Sequence, residues 1–345
     1  MLRPDRPSPK WHNGQKPCRF RHARRNHRPH RTARRHAFQR HGDPGHLPHR
    51  QRFLPEGRGL ALDLLSDGGG TVRLSEAVAV DTRPLAATLE DYAAVILPGF
   101  FAEDMAELTG RLRQEWQPVI ARLRALSDAT LTAASCYGTF VLAEAGRLDG
   151  RPATTTWWLE REFRHLYPQV HLDADQALVD AGPAVTAGAM TAHVDLSMQV
   201  LRRLLGPEVA RQVASIMLVN AARASQKPFA TVPTRFADPL AQRAADWLAA
   251  HLAEPFSAQA LAAACHVSPR TLHRRFGAAA GQGPLEYAQA LRIEAAKRLL
   301  EDDRQSLDRI VAAVGYADEA AFRRLFTRRV GMSPAQYRRA FRRGG

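Results

Sequence analysis

The sequence contains few cysteines, and those few are widely spaced. Cys18, Cys136 and Cys265 are the only three in 345 residues. An odd number at such spacing excludes a disulfide framework and is typical of a reducing compartment, so we expect a cytoplasmic protein. Zinc-ligand spacing is also missing, and we expect neither a bound metal nor another cofactor.

Long apolar runs are missing as well. The longest candidate, around Ala93–Phe101, is interrupted by Pro98 and Gly99 and is far shorter than the roughly 18–20 residues of a membrane helix, so we expect no membrane partner. Apolar residues still make up 45% of the chain and charged residues 24%, which excludes a wholly disordered or collagen-like protein.

The first 52 residues are poor in aliphatic and acidic side chains. They hold 15 Lys and Arg but only 2 Asp and Glu, and 8 of the 14 histidines. Four interpretations compete: a basic arm touching nucleic acid, a metal-binding histidine tract, a transit peptide, and a misplaced or out-of-frame start in a GC-rich gene. We favour the last. Because such a segment cannot bury enough apolar surface to offset its ordering entropy, residues 1–54 are expected to be disordered or artefactual.

The remaining charge is unevenly divided. Residues 53–239 hold 17 basic and 22 acidic side chains, whereas residues 240–345 hold 17 and 10. A basic region that follows a mildly acidic one is typical of a carboxyl-terminal module that binds nucleic acid.

Residues 55–225 alternate strand and helix patterns. Tyr92–Leu97 and Leu131–Ser135 read as buried strands, and Met105–Leu126 reads as a helix between them. This alternation predicts an α/β, doubly wound sheet. Leu131–Ser135 runs directly into Cys136, Tyr137 and Gly138 and then a helix. A residue at such a sharp turn sits above the carboxyl end of the sheet, where the cysteine is either a nucleophile or an inert buried thiol.

Residues 134–157 and 186–205 resemble the elbow region and the final strand and helix of ThiJ/PfpI (class I glutamine amidotransferase-like) domains, in the form fused to AraC-type regulators, the GlxA-like family. The resemblance implies a flavodoxin-like sheet, apparently missing its first strand and helix. Hydrolytic relatives carry His where this chain has Tyr137, and the missing region supplies their acidic residue. With these two departures, the resemblance implies a non-catalytic domain that senses a small-molecule effector or dimerises, with a ligand pocket at Cys136, Tyr137 and Gly138. The alternative is a cysteine-dependent amidase or deglycase that uses Cys136.

The carboxyl-terminal part is predicted to be all helical. A proline-rich linker over 226–238 precedes residues 239–345, where Asp238-Pro239, Ser257, Ser268-Pro269, Gly283-Pro284 and Ser333-Pro334 mark helix starts. A repeat with a period of fifty pairs Leu272, Arg274, Phe276 and Gly281 with Phe322, Arg324, Phe326 and Gly331. Each copy reads as a short helix, a tight turn and a basic second helix, which predicts two helix-turn-helix units.

This tandem resembles the AraC/XylS-type DNA-binding domain, so the chain is expected to be a sequence-specific transcription regulator and not an enzyme. A nucleoid-type basic protein acting through residues 1–52 is the third alternative. The resemblance implies double-stranded DNA as partner, a homodimer, and RNA polymerase if the protein is an activator. Arg270, His273 and Arg274 would face one major-groove segment and Glu319, Ala320, Arg323 and Arg324 the next. Arg328, Arg329, Arg338 and Arg339 are candidates for phosphate contacts.

Overall fold

The computed structural model describes residues 20–24, 60–73, 78–219, 224–302 and 305–342. Its contacts divide the chain into two units, Met1–Ala224 and Ser225–Gly345. Sheets with helices occupy the described part of the first unit, and the described part of the second is mainly helical, as the sequence predicts.

The strands that the structure describes all lie in the first unit. They are β1 (Phe20–Arg24), β2 (Ala61–Ser66), β3 (Gly68–Arg73), β4 (Ala79–Pro84), β5 (Ala94–Leu97), β6 (Leu131–Ser135), β7 (Pro152–Ala153), β8 (His171–Leu172), β9 (Leu178–Asp180) and β10 (Ala184–Ala187). The main sheet has the order β3-β4-β2-β1-β5-β6-β10-β9, while β7 and β8 pair separately.

The described helices of this unit follow or connect the strands. They are α1 (Met105–Gln114), α2 (Gln117–Arg124), α3 (Gly138–Glu144), α4 (Glu160–Leu166), α5 (Ala192–Leu205) and α6 (Pro207–Ile216). The sequence predicts one helix over Met105–Leu126, but the structure divides it into α1 and α2. Pro118 explains the break, because proline has no N–H to donate inside a helix and is accommodated in the first turn of a new one.

Strand β6 is an interior strand of the sheet and is buried along its whole length. It runs parallel to β5 on one side and to β10 on the other. Successive side chains point to opposite faces, so Ala133 packs in the cluster with Leu196 of α5, whereas Ala134 packs in the cluster with Phe140 of α3. Helices therefore cover both faces, as a doubly wound sheet requires.

Strand β1 is the main departure from the predicted fold. No strand is predicted from the sequence in residues 1–54, yet Phe20–Arg24 pairs antiparallel with both β2 and β5. A gap between those two strands would leave two rows of backbone donors and acceptors unpaired, and any extended segment that enters the gap satisfies them. The rest of the predicted basic segment lies outside the described residues.

Seven helices form the described part of the second unit. They are α7 (Pro239–Ala250), α8 (Ala258–Ala264), α9 (Pro269–Ala280), α10 (Pro284–Glu301), α11 (Leu307–Ala313), α12 (Glu319–Val330) and α13 (Pro334–Phe341). Among the residues that the structure describes, no helix is both long and apolar enough to cross a membrane.

Local capping chemistry sets most of these helix starts. The side chains of Asp238, Ser257, Ser268 and Ser333 each accept a hydrogen bond from a backbone N–H in the first turn of the helix that follows. Gly281 and Gly331 end α9 and α12 with φ of 71° and 77°. This left-handed conformation favours glycine, which explains why both copies of the repeat carry glycine there.

The predicted linker 226–238 packs on the second unit instead of spanning open solvent. The hydroxyl of Tyr287 donates to the Pro233 carbonyl at 2.8 Å, and the Phe236 ring lies 5.8 Å from that of Phe276. A single 3-10 turn at Lys227–Phe229 packs against the last helix, where the rings of Phe229 and Phe341 are 5.3 Å apart. The prolines interrupt regular structure, but the aromatic residues between them supply apolar surface to bury.

Candidate nucleic-acid interface and effector cavity

The two predicted recognition helices, α9 and α12, are anchored in the same way. Leu272 and Phe276 of α9 are buried, and so are Phe322 and Phe326 of α12. Residues four apart share one face of a helix, so each pair faces the core of its own helix-turn-helix unit. The opposite faces are left for a partner.

The exposed face of α9 is basic and carries no acidic residue. Arg270, His273 and Arg274 are exposed, and the His273 ring lies beside the turn at Gly283. Among the described residues, neither Arg270 nor Arg274 has a hydrogen-bond or ion-pair partner. Both guanidinium groups can therefore bind an external acceptor without giving up an internal one.

Arg275 has a structural role that is not predicted from the sequence. Its Nη2 lies 2.9 and 2.8 Å from the two carboxylate oxygens of Asp238, the residue that caps α7. Arg275 differs from the adjacent Arg274 in that it has a bonding partner within the fold. The sequence offers only a weak signal for this difference, because Arg275 immediately precedes the buried Phe276 at the edge of the core face.

The exposed face of α12 mixes charges of both signs. Arg323 Nε donates to Glu319 Oε1 at 2.7 Å, so these two predicted contact residues are paired with each other. Arg324 is exposed, and its Nη2 lies 4.0 Å from Asp318 Oδ2. Ala320 is also exposed. Arg323 must therefore leave Glu319 before it can bind another acceptor, whereas Arg324 gives up little.

The predicted phosphate contacts divide into exposed and occupied arginines. Arg328 and Arg339 are exposed. Arg338 is half-buried, and its Nη2 donates to the Gln305 carbonyl at 2.7 Å. Arg329 donates to the Glu286 carbonyl at 3.1 Å. The structure thus places two of the four in contacts that hold helices together.

The two turns between helices adopt the same left-handed backbone. His266 has φ of 57° and Gly315 has φ of 80°. A Cβ at Gly315 would lie 2.6 Å from the Ala253 carbonyl oxygen, so only glycine fits the second turn. The first turn accepts a histidine there in a conformation that side chains rarely adopt.

In the first unit, the chain turns sharply from β6 into α3 at Cys136, whose φ is 55°. The turn is tight because a Cβ at Gly138 would lie 2.8 Å from the Leu97 carbonyl oxygen. The backbone N–H of Cys136 lies 3.0 Å from the Gly188 carbonyl, and Thr155 Oγ1 donates to the Cys136 carbonyl. The strand-to-helix elbow predicted from the sequence is therefore present.

A cavity of about 850 Å³ opens beside this elbow. Cys136 and Tyr137 line it, and His193 of α5 does as well, with its Nδ1 2.8 Å from the Met190 carbonyl oxygen. The remaining described lining is mainly aliphatic and aromatic and includes Leu97, Phe100, Phe101, Trp158, Leu196 and Val200. Gly138 lies outside this lining, packed against β5.

The environment of Cys136 suppresses its ionisation. Burial raises the pKa of the thiol to about 11, although a hydrogen bond from the Tyr137 backbone N–H acts in the opposite direction. At neutral pH the group is a thiol, whereas the thiolate is the nucleophilic form. In the part of the chain that the structure describes, no group of three or more His, Cys, Asp or Glu side chains could hold a metal ion.

Comparison with known proteins finds matches in the carboxyl-terminal part of the chain. A family model described as a helix-turn-helix domain matches residues 261–340, which cover α9 through α12 and most of α13. The C-terminal domain of AraT, a response regulator from Geobacillus stearothermophilus, is a solved structure 27% identical in sequence; the match covers 31% of this chain and 89% of that one, with a TM-score of 0.30.

Two curated relatives extend the likeness beyond the helix-turn-helix units. HTH-type transcriptional regulator GlxA from Rhizobium meliloti is 28% identical over 279 residues, 80% of this chain and 84% of the relative. HTH-type transcriptional regulator CdhR from Pseudomonas aeruginosa is 31% identical over 205 residues, 58% of this chain and 60% of the relative. The chain therefore contains a match to a helix-turn-helix domain and, over most of its length, is similar to the HTH-type transcriptional regulator GlxA.

Proposed function

We propose that this protein is an AraC-type transcription regulator that binds specific sequences of double-stranded DNA. The observation that carries the proposal is the pair of helix-turn-helix units in one compact unit, each with a buried core face and an exposed arginine-bearing face on its second helix. An exposed arginine can read guanine through two hydrogen bonds to O6 and N7. The site of action is the cytoplasm.

Each recognition helix is assigned a DNA segment. Arg270, His273 and Arg274 face the first, and Glu319, Ala320, Arg323 and Arg324 face the second. Because Arg323 is paired with Glu319 whereas Arg270 and Arg274 of α9 are unpaired among the described residues, we expect α9 to contribute more of the discrimination between sequences. Arg328 is our candidate for a phosphate contact, while the bond from Arg338 to the Gln305 carbonyl favours a structural role for that residue.

The α/β unit is proposed to bind a small effector, to dimerise, or both, without catalysing a reaction. The cavity beside Cys136 and Tyr137 supports the first role, and its size lies within the usual range for small-molecule sites. The raised pKa of Cys136 argues against a thiolate nucleophile. If the regulator is an activator, RNA polymerase is a further partner. Absence of amidase and deglycase turnover, and a dimer in sedimentation, are the expected results.

Selection from random DNA tests the proposal. The full chain is incubated with a library of duplexes of about 30 base pairs, roughly three helical turns, and bound duplexes are enriched over several rounds. We expect one sequence with two preferred blocks whose centres lie about one turn, or 10–10.5 base pairs, apart. Retention of all sequences alike would contradict a sequence-specific regulator and would favour nonspecific binding.

A further inference from the structure

The side chain of Arg292, near the middle of α10, bonds both to the turn that connects α7 to α8 and to the turn inside the second helix-turn-helix unit. Its Nε donates to the Leu252 carbonyl at 2.9 Å, and its Nη2 donates to the Glu254 carbonyl. Both carbonyls belong to the turn that follows α7. Its Nη1 lies 3.3 Å from the carbonyl of Gly315, in the turn between α11 and α12. One guanidinium therefore spans the junction between the two halves of the domain.

The backbone on both sides of this junction is in close contact. The Ala253 carbonyl oxygen lies only 2.6 Å from the position that a Cβ on residue 315 would occupy. Leu252 and Tyr316 both pack against the core of the second helix-turn-helix unit. The guanidinium carbon of Arg292 lies 5.2 Å from the centroid of the Tyr316 ring. The turn after α7 thus precedes the first helix-turn-helix unit in sequence but packs against the core of the second helix-turn-helix unit.

A guanidinium suits this position for a geometric reason. It is planar, always charged, and presents its N–H donors in a fixed fork, so bonds to three carbonyls restrain its neighbours in rotation as well as in distance. If α10 were the only connection between the two helix-turn-helix units, the units would be free to rotate relative to each other about its axis. The fork of Arg292 removes that freedom.

We propose that Arg292 is a positioning residue that fixes the spacing and rotation of the two recognition helices, so that one chain accepts only one separation between its two DNA segments. This inference rests on the proposed function. Arg292 itself is not assigned a DNA contact. Two helices that enter successive turns of the major groove must match the helical repeat, and a loose junction would accept altered spacing.

The test compares two duplexes. One is the sequence selected by the wild-type chain, and the other carries an insertion of about 5 base pairs, half a helical turn, between its two blocks. The measured quantity is the ratio of the two dissociation constants for the full-length wild type and for Arg292→Met. Arg298→Met is the matched control, because Arg298 is an exposed arginine on the same helix.

We expect the wild type and Arg298→Met to prefer the selected spacing by at least about tenfold, the effect of losing one bidentate base contact. For Arg292→Met the ratio should fall towards one. A uniform loss of affinity for both duplexes, with the ratio unchanged, would show that Arg292 only supports folding and would overturn the proposal. Equal ratios for Arg292→Met and Arg298→Met would also overturn it.

A second variant tests the same proposal if the first one does not fold. If Arg292→Met does not fold, Arg292→Lys is tested in the same way, because lysine keeps the charge but lacks the planar fork. The ratio of the two dissociation constants for Arg292→Lys should lie between the wild-type ratio and a ratio of one. An unchanged ratio in Arg292→Lys would count against the inference. Failure of the wild type itself to prefer any duplex would instead contradict the proposed function.

Discussion

Asp238 holds Arg275 through both of its carboxylate oxygens while it caps α7. Its Oδ1 accepts the backbone N–H of Leu240 at 2.7 Å and the Nη2 of Arg275 at 2.9 Å, and its Oδ2 accepts the same Nη2 at 2.8 Å. One side chain thus sets the start of α7 and ties the first recognition helix to it. Of two adjacent arginines on α9, Arg275 is committed to the fold and Arg274 is available to DNA.

Replacing the two arginines should separate stability from recognition. Arg274→Ala should weaken binding to the selected duplex by about 1–3 kcal/mol at particular base pairs and leave the unfolding temperature unchanged. Arg275→Ala should lower the unfolding temperature, because Asp238 loses its partner. Thermal unfolding and binding titrations of the two full-length variants check this. If Arg275→Ala changed base preference more than Arg274→Ala did, the two roles would have to be exchanged.

The contribution of Asp238 should depend on pH in a defined direction. The hydrogen bonds from Arg275 and from the backbone N–H groups of Ala241 and Leu240 hold the pKa of this carboxyl below its usual range. A depressed folded-state pKa gives stabilisation that is complete above the ordinary carboxyl range and is lost as pH falls through the folded value. The stability difference between wild type and Asp238→Asn should therefore close on acidification. A difference that widened in acid would contradict this assignment.

The helices of the second unit could be predicted from sequence because their signals are local. Asp238 and Ser333 accept first-turn N–H groups only two or three residues away. The left-handed Gly281 and Gly331 end helices by the same short-range rule. The buried pairs follow directly from their spacing of four residues.

The fate of individual arginines could not be predicted, because it depends on distant backbone. Arg338 bonds to Gln305 and Arg329 to Glu286, contacts across 33 and 43 residues. Arg292 depends on carbonyls 40 and 23 residues away. Strand β1 also could not be predicted from local sequence, because it depends on a gap between β2 and β5 that exists only in the folded sheet.

Cys136 should react slowly with thiol reagents at neutral pH. Its pKa of about 11 predicts a rate of alkylation that rises about tenfold per pH unit between about pH 6 and pH 9 without a plateau. The measurement uses iodoacetamide and a variant with Cys18→Ser and Cys265→Ser, so that one thiol remains. A plateau below about pH 8 would indicate an activated thiolate and would revive the enzymatic alternative.

His266 should be replaceable by glycine with a gain in stability. Its φ of 57° costs a side-chain-bearing residue about 1–2 kcal/mol, while glycine loses about 0.5–1 kcal/mol more in conformational entropy on folding. His266→Gly should therefore raise the free energy of unfolding by about 0.5–1 kcal/mol. His266→Ala is the control, because it keeps the left-handed strain and should bring no gain. Equal effects of the two would show that the histidine ring, not the backbone, decides the stability.

The most direct test of the account is the base-preference profile of three arginine variants on a duplex that the wild type selects. Arg274→Ala, Arg324→Ala and Arg328→Ala are titrated against a series in which each base pair is substituted in turn, at two salt concentrations. Arg274→Ala should relax preference within one block and Arg324→Ala within the other, about one helical turn away. Arg328→Ala should weaken every duplex alike and reduce the salt slope by about one. One common profile for all three variants would contradict the claim that the two helices read separate segments.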